Sequence, residues 1–335
     1  MPAHKKATIY DVAKRAGVSI TTVSRLLNAP DKVNSQTREK VLAAIDELSF
    51  VPKAEARARA MRSINRIGVI TPYFTAPSFV QRLRGVAAAL ARANHELVIY
   101  TVDSAEHLPG YIASVPVLQG LDGLIIMSLS IEDNEARRLQ DNGLETVLIE
   151  SQHPLLNCIG IDDVHGGALA AQYLIGKGHT SIGFLGDIEP TTRYAIHPVK
   201  SRLAGFRTAI EEAGLSLPRS HVVRAPYTHA GSQQAAQALL SLSRRPTAIF
   251  AASDIQAVSI MKVARQLKLR IPEDLAIMGF DDIDLAEFMD LTTVRQNLDE
   301  SGRLAAEILI SKVADPSRSP LHVDLPLTLI ERQTA

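Results

Sequence analysis

The sequence predicts two kinds of architecture in one chain. A small all-α head of three helices is followed by a larger α/β core, made of two doubly wound parallel-sheet subdomains. Three observations predict it. The first 50 residues are cut into short amphipathic helices by strong start and stop signals. From Arg66 onward, short apolar runs alternate with helical stretches, and strands apolar on both faces belong to parallel sheets covered on both sides. The length of 335 residues is enough for two or three domains.

Composition narrows the function classes. Hydrophobic residues make up 46% and charged residues 21%, ordinary values for a globular protein. No run approaches the roughly 18 apolar residues of a membrane helix. The basic start Met1–Lys6 has no apolar stretch behind it, so no secretory signal is expected and the cytoplasm is the expected location. The single cysteine, Cys158, excludes an intramolecular disulfide and a four-cysteine zinc site. Net charge is zero but unevenly spread. Residues 1–63 hold 12 of the 36 basic side chains and 6 of the 36 acidic ones, a balance of +6 against −6 for the rest. Such segregation fits a nucleic-acid-binding head on an acidic body; by charge alone a solvated surface fits equally.

The head reads as follows. Thr8 and Asp11 form a T-x-x-D pattern close to a capping box, and Ile9, Val12, Ala13 and Ala16 make one helical face. Gly17 stops that helix. Ser19 caps a second helix over Ile20–Leu27, with Val23, Leu26 and Leu27 inward. A turn of only three residues makes this a helix-turn-helix, whose second helix is placed to enter a major groove. Asn28-Ala29-Pro30-Asp31 breaks it. Ser35 is expected to cap a third helix running to about Leu48, with Val41, Ile45 and Leu48 inward. The first turn of the second helix presents Ile20, Thr21 and Thr22, with Arg25 one turn on, side chains suited to base edges, thymine methyls and phosphates.

In the core, strands are expected at Ile67–Ile70, Glu96–Tyr100, Gly123–Met127, Glu145–Ile149 and Cys158–Ile161, with helices at Phe79–Ala93 and Asp133–Asn142. A second series follows Gly166-Gly167. Helices are expected at Ala168–Lys177, Arg202–Ala213, Gly231–Leu242 and Ile255–Leu267, and strands at Ser181–Leu185, Val222-Val223, Ala248–Ala251 and Leu275–Phe280. Two such halves place a ligand at the strand carboxyl ends, in a cleft between them. Enzyme signatures are missing: no G-x-G-x-x-G after the first strand, no phosphate-binding G-x-x-x-x-G-K-[ST], no G-x-S-x-G and no H-E-x-x-H. Cys158, in an apolar strand, reads as a core residue and not a nucleophile. No catalytic residue, metal site or cofactor is expected. A stand-alone sugar-binding protein and a sugar-acting enzyme are the alternatives to a ligand-gated DNA-binding regulator.

Thr8-Ile9-Tyr10-Asp11-Val12-Ala13, Ala16-Gly17-Val18-Ser19, Thr22-Val23-Ser24-Arg25 and Asn28 resemble the head of the LacI/GalR transcription regulators, as do Val33, Thr37–Val41, Ala44-Ile45, Leu48 and Pro52. Val164–Gly167, Gly178–Phe184, Arg202–Phe206 and Gly279–Asp282 stand where that family carries the landmarks of its periplasmic-binding-protein-like core. The resemblance covers nearly the whole chain. It implies a helix-turn-helix domain over 1–50, a hinge over 51–64 and an effector-binding, dimerising core over 65–335. Within the core, one subdomain takes approximately 65–163 and 293–324, the other 164–292 and 325–335.

The resemblance also implies site residues. Ile20, Thr21 and Arg25 would read the operator; Thr8, Tyr10, Ser19, Thr22, Ser24 and Asn28 would position the head, chiefly on phosphates. In the hinge, the family inserts a leucine into the minor groove seven residues after the proline. This chain has Arg59 there, with Arg57 nearby. Arginine suits a narrow minor groove, whereas an unstacking wedge needs an apolar side chain; Met61 could serve in a shifted register. In the core, Asp281, Arg202 and Tyr227 match an acid, an arginine and an aromatic that hold the effector. Tyr73, Phe74, Glu150, Ser253 and Gln296 are further candidates. Asp254 reads as the N-cap of its helix and Asp282 as a structural cap. An acid, an arginine and an aromatic suit a sugar, and a purine or nucleoside is the alternative. The expected partners are a palindromic double-stranded DNA operator, a small effector and a second copy of the chain. No apolar heptad tail follows Leu325–Leu329, so a dimer is expected in place of a tetramer.

Overall fold

The computed structural model describes residues 7–28, 32–48, 50, 64–72, 74–102, 112, 120–188, 194 and 196–335. Hinge residues 51–63, including Arg57, Arg59 and Met61, lie outside these, as do Tyr73 and the breaker residues 29–31. By its contacts the chain forms two compact units. One comprises Met1–Phe74, Val86–Cys158 and Arg303–His322; the other Thr75–Gly85, Ile159–Gly302 and Val323–Ala335.

The head holds three helices, α1 (Ile9–Ala16), α2 (Ile20–Asn28) and α3 (Ser35–Glu47). Asp11 accepts from the Thr8 backbone N–H at 2.8 Å and the Thr8 hydroxyl at 2.6 Å, within the capping box that opens α1. Gly17 ends α1 at φ 67°, where a Cβ would be strained. Ser19 Oγ accepts from Thr22 N at 3.1 Å and so starts α2. The expected cap of α3 is corrected: Asn34 Oδ1 accepts from Thr37 N at 2.8 Å, and Ser35 is the first helical residue. Val12, Ala13, Val23, Leu26, Leu27, Val41, Ala44, Ile45 and Phe50 form the head's core.

The sheet of the first unit runs in the order β11-β5-β4-β3-β1-β2. Its strands are β1 (Arg66–Thr71), β2 (Glu96–Thr101), β3 (Gly123–Met127), β4 (Glu145–Ile149), β5 (Asn157–Gly160) and β11 (His322–Asp324). β1 pairs in parallel with β2 and β3, and β3 with β4. Edge strand β2 is half exposed, so the expectation of apolar burial on both faces fails there. Val86, Ala89 and Leu90 of α4 (Pro77–Arg92) and Ala136 and Leu139 of α5 (Asp133–Asp141) are buried. Cys158 is buried too, and burial pushes its thiol up, as suits a core residue.

The second sheet runs β12-β10-β9-β8-β6-β7. It contains β6 (Ile182–Asp187), β7 (Val222–Ala225), β8 (Ala248–Ala251), β9 (Ala276–Asp281), β10 (Thr292–Arg295) and β12 (Thr328–Ile330). Neighbouring strands in this sheet are parallel except β10 and β12, which are antiparallel. Helices cover both faces. α6 (Asp163–Gly176) and α7 (Pro198–Glu212) pack with Phe184, Phe250, Met278 and Phe280. α8 (His229–Leu240) and α9 (Asp254–Gln266) pack with Leu185, Ile249, Ala251 and Ile277. α10 (Asp284–Phe288) and α11 (Leu298–Ala314) complete the α-helices among the described residues.

Two corrections bear on the site. α6 begins at Asp163, five residues before its expected start, because Asp162 caps it by accepting from His165 N at 2.9 Å. α7 begins at Pro198, so Arg202 sits in its second turn and does not open it. α6 and α7 meet at backbone distance. A Cβ on Gly167 would overlap the Arg202 carbonyl oxygen, and one on Gly205 that of Val164. Glycine at both positions is what brings Arg202 down onto α6.

Candidate nucleic-acid interface and ligand-binding residues

On the head, Ser19, Ile20, Thr21 and Arg25 are exposed at the start and along one side of α2, and Tyr10 on α1 is 67% exposed. Thr8, Thr22 and Ser24 are half-buried. The Ser19 and Thr22 hydroxyls share a hydrogen bond of 2.8 Å, which fixes the first turn of α2. Arg15 and Glu47 tie α1 to α3 at 2.5 Å. The three-residue turn therefore holds α2 out on a braced platform, with Ser19, Ile20 and Thr21 of its first turn facing solvent. That surface suits a phosphate backbone and the floor of a major groove. The Asn28 side chain lies outside the described set.

The second unit brings five of the expected ligand residues to the carboxyl ends of its strands. Arg202, on α7, is buried. Its Nε donates to Asp163 at 2.7 Å and its Nη1 to the Ala252 carbonyl at 2.7 Å, with Asp281 at 4.0 Å. Its guanidinium carbon lies 3.7 Å from the centre of the Phe280 ring. Asp281 ends β9 and accepts from the amide of Gln296, just past β10; Gln296 in turn accepts from Arg82 at 2.9 Å. Ser253 follows β8. Tyr227 follows β7 and keeps 39% of its surface exposed, yet its hydroxyl stands near Asp281 and Asp187, and desolvation followed by these acids pushes its pKa up.

Backbone strain gathers here. Asp281 and Asp282 both have positive φ, 119° and 57°, a conformation L residues adopt only where surroundings impose it. The imposing contacts are visible. Asp282 is held by Arg295 at 2.7 Å and Arg332 at 2.8 Å, an ion-pair hub in place of the expected cap. Asp254 is not the N-cap of α9 either. Ser253 is, and the fully buried Asp254 accepts from Ile283 N at 2.9 Å and Thr293 Oγ1 at 2.5 Å, pinning the turn after Asp281. Burial, and then Asp281, raise its pKa well above the carboxylate range.

The remaining ligand candidates belong to the first unit. Glu150 follows β4 at φ 67° and accepts from the hydroxyl of Ser128, which follows β3 at φ 55°. Phe74 is exposed. Sequence reasoning missed four residues around Arg202 and Asp281: Asp163, Arg82, Asp187 and Gln256. Asp187 ends β6 and accepts from the buried Gln256 amide at 2.6 Å. Desolvation lifts its carboxyl to about 6, against the pull of Arg202. An aspartate closing an apolar parallel strand was the available signal. Among the described residues, no three His, Cys, Asp or Glu side chains are grouped to hold a metal ion, and no helix is long and apolar enough to cross a membrane.

Comparison with known proteins places this geometry. The profile described as "Bacterial regulatory proteins, lacI family" matches residues 8–53, and that of a periplasmic binding protein-like domain matches 171–335. The "Ribose operon repressor" of Escherichia coli (strain K12) is 32% identical over 335 residues, covering 98% of this chain and 100% of the relative. The chain belongs to the LacI family. This regulator is also 30% identical to the "HTH-type transcriptional repressor PurR" of Photobacterium profundum, over 98% of each chain. Its fold matches the solved "transcriptional regulator CelR-cellobiose complex" with a TM-score of 0.70 and 29% identity, covering 98% of this chain and 100% of that one. As a member of the family, the regulator binds DNA, answers to a small molecule and is not an enzyme.

Proposed function

We propose that this regulator is a repressor that binds a palindromic operator as a homodimer, with its DNA affinity set by a sugar held at the carboxyl ends of the second sheet. The observation that carries the sugar reading is the array of Arg202, Asp281, Gln296 and Tyr227. It offers donors, acceptors and an aromatic face within one small area, which is what a polyol requires. The first-named relative is a ribose operon repressor, and the solved structure holds cellobiose.

The division of labour follows the chain. Residues 1–50 form the DNA-binding head, 51–64 the hinge and 65–335 the core. Ile20, Thr21 and Arg25 read bases, while Thr8, Tyr10, Ser19, Thr22, Ser24 and Asn28 position the head on phosphates. Arg57 and Arg59 approach the minor groove. Ser253, at the end of β8 in the second unit, completes the effector's surroundings there. A protein that acts on an operator works where the DNA is, which places it in the cytoplasm. An effector moves the DNA-binding equilibrium only by its differential affinity for the two states.

The test is selection of bound sites from random duplex DNA by the purified full-length protein at moderate salt, with and without sugars. An enriched palindrome whose recovery changes with a sugar supports the reading. Enrichment that responds to hypoxanthine or guanine alone supports the second reading, a purine-responsive repressor, which the PurR relative favours. No enrichment under any condition counts against both.

A further inference from the structure

The register of the second sheet sets two acids level with each other. Leu185 of β6 pairs with Ala251 of β8, and Ile249 of β8 pairs with Ile277 of β9. Counting two residues on from the first pair and four from the second puts Asp187, Ser253 and Asp281 at one height at the ends of three neighbouring strands. Two strand spacings, roughly 10 Å, separate the acid-bearing strands. Arg202 serves both acids: it lies 4.0 Å from Asp281 and opposes the rise of the Asp187 pKa.

Asp187 is held for contact and not merely tucked away. Gln256 is fully buried, and its amide fixes Oδ1, while the residue itself stays partly exposed. Around Arg202 the acids outnumber the base: Asp163, Asp187 and Asp281 face it, and Arg82 is turned to Gln296. An anionic ligand would meet net repulsion there. A ligand rich in hydroxyl donors would not.

We propose that Asp187 is a second effector contact, accepting hydroxyls at one end of a neutral monosaccharide while Asp281 accepts at the other, with Arg202 between them. This rests on the sugar reading above and adds the residue that fixes the second end of the ring. Hydroxyl donors bond the ionised carboxylate, so sugar affinity falls as Asp187 is protonated. Among the described residues, the titratable and charged groups facing Asp187 are Arg202 from α7 and Tyr227 from the β7–α8 loop. Arginine keeps its charge, and a tyrosine whose pKa is pushed up keeps its proton, across pH 5–8, which leaves Asp187 to titrate.

The experiment is calorimetric titration of the full-length protein with D-ribose, D-glucose, D-galactose and hypoxanthine at pH 5 to 8, on wild type, Asp187→Asn and Asp187→Ser. Thermal melts of each protein without ligand verify folding, and the smaller serine guards against a misfit of the asparagine. We expect at least one sugar to bind the wild type about tenfold more weakly at pH 5 than at pH 7.5. Both variants should bind it at least tenfold more weakly at pH 7.5, with a flat pH profile. A sugar that binds the variants as tightly as the wild type, or with the same pH profile, overturns the role of Asp187 and leaves the sugar reading standing. Binding of hypoxanthine alone, or of no probe, overturns the sugar reading and this inference with it.

Discussion

The buried Arg202 and the half-buried Asp163 form an ion pair, Nε to Oδ1 2.7 Å, that locks the second turn of α7 to the first residue of α6. Taking away one partner of such a pair leaves a charge in a poorly solvating place, which costs about 3–5 kcal/mol. Asp163→Ala should therefore lower stability by about 3 kcal/mol in urea unfolding, and weaken sugar binding because Arg202 loses its orientation. Unchanged stability would mean that Arg202 finds another partner.

Gly205→Ala should be worse than its single methyl suggests. The new Cβ would overlap the Val164 carbonyl, which is backbone and cannot rotate aside. Forcing α6 and α7 apart costs roughly 2 kcal/mol or more, read as a fall in Tm of about 5 °C. Gly176→Ala makes the control, since nothing lies within 4 Å of its Cβ position.

The apo protein should become less stable, at Asp187, as pH rises. The carboxyl sits at about 6 in the fold against 3.8 when unfolded, so the folded state binds the extra proton between those values. Stability from this group is full below about pH 4 and lost as pH climbs through 6. Asp187→Asn should gain on wild type across that window, by on the order of 2 kcal/mol at pH 7. Paired chemical unfolding curves at pH 4, 5, 6 and 7 measure it. A constant difference would refute the raised value.

Arg25→Ala should abolish preference for the selected operator while keeping most binding to random duplex, which phosphate contacts supply. Competition gel shifts at two salt concentrations separate the two. Equal loss of both would make Arg25 a phosphate contact.

Asp281→Asn should remove the sugar response and spare operator binding, as followed by fluorescence anisotropy of labelled operator with increasing sugar. A full response in the variant would take Asp281 out of the ligand site.

What could be read in the chain depended on whether a boundary had a local chemical cause. β3, β4 and β8 were placed to the residue, since each is built on a short, compact run of apolar residues. Gly17 ended α1 where a glycine must. Helix starts slipped when the cap preceded the apolar pattern: Asp162 opens α6 well before Ala168. β10 escaped notice because Thr292 and Thr293 look like surface residues. Both are fully buried, their hydroxyls serving Arg332 N and Asp254, partners distant in sequence. Asp187 was lost when its strand was ended two residues early, and Arg82 because nothing near it in sequence announces Gln296. Asp281 and Arg202 were legible through family resemblance; their partners were legible only in three dimensions.

Both compact units are stitched from separate stretches of chain, and this governs the order in which they can be completed during synthesis. The ribosome releases β1 to β5 early, yet the sheet they form lacks its edge strand β11 until residue 324 has emerged, and the second sheet waits for β12 at 328–330. Five of the second sheet's six strands are made before the first sheet receives its last. A nascent chain halted near residue 290 would carry two unfinished sheets, each with a bare edge, and need a chaperone's shelter. Maturation of the core is thus a late event, gated by its last few dozen residues. The head, whose hydrophobic core lies entirely within the first 50 residues, is under no such constraint.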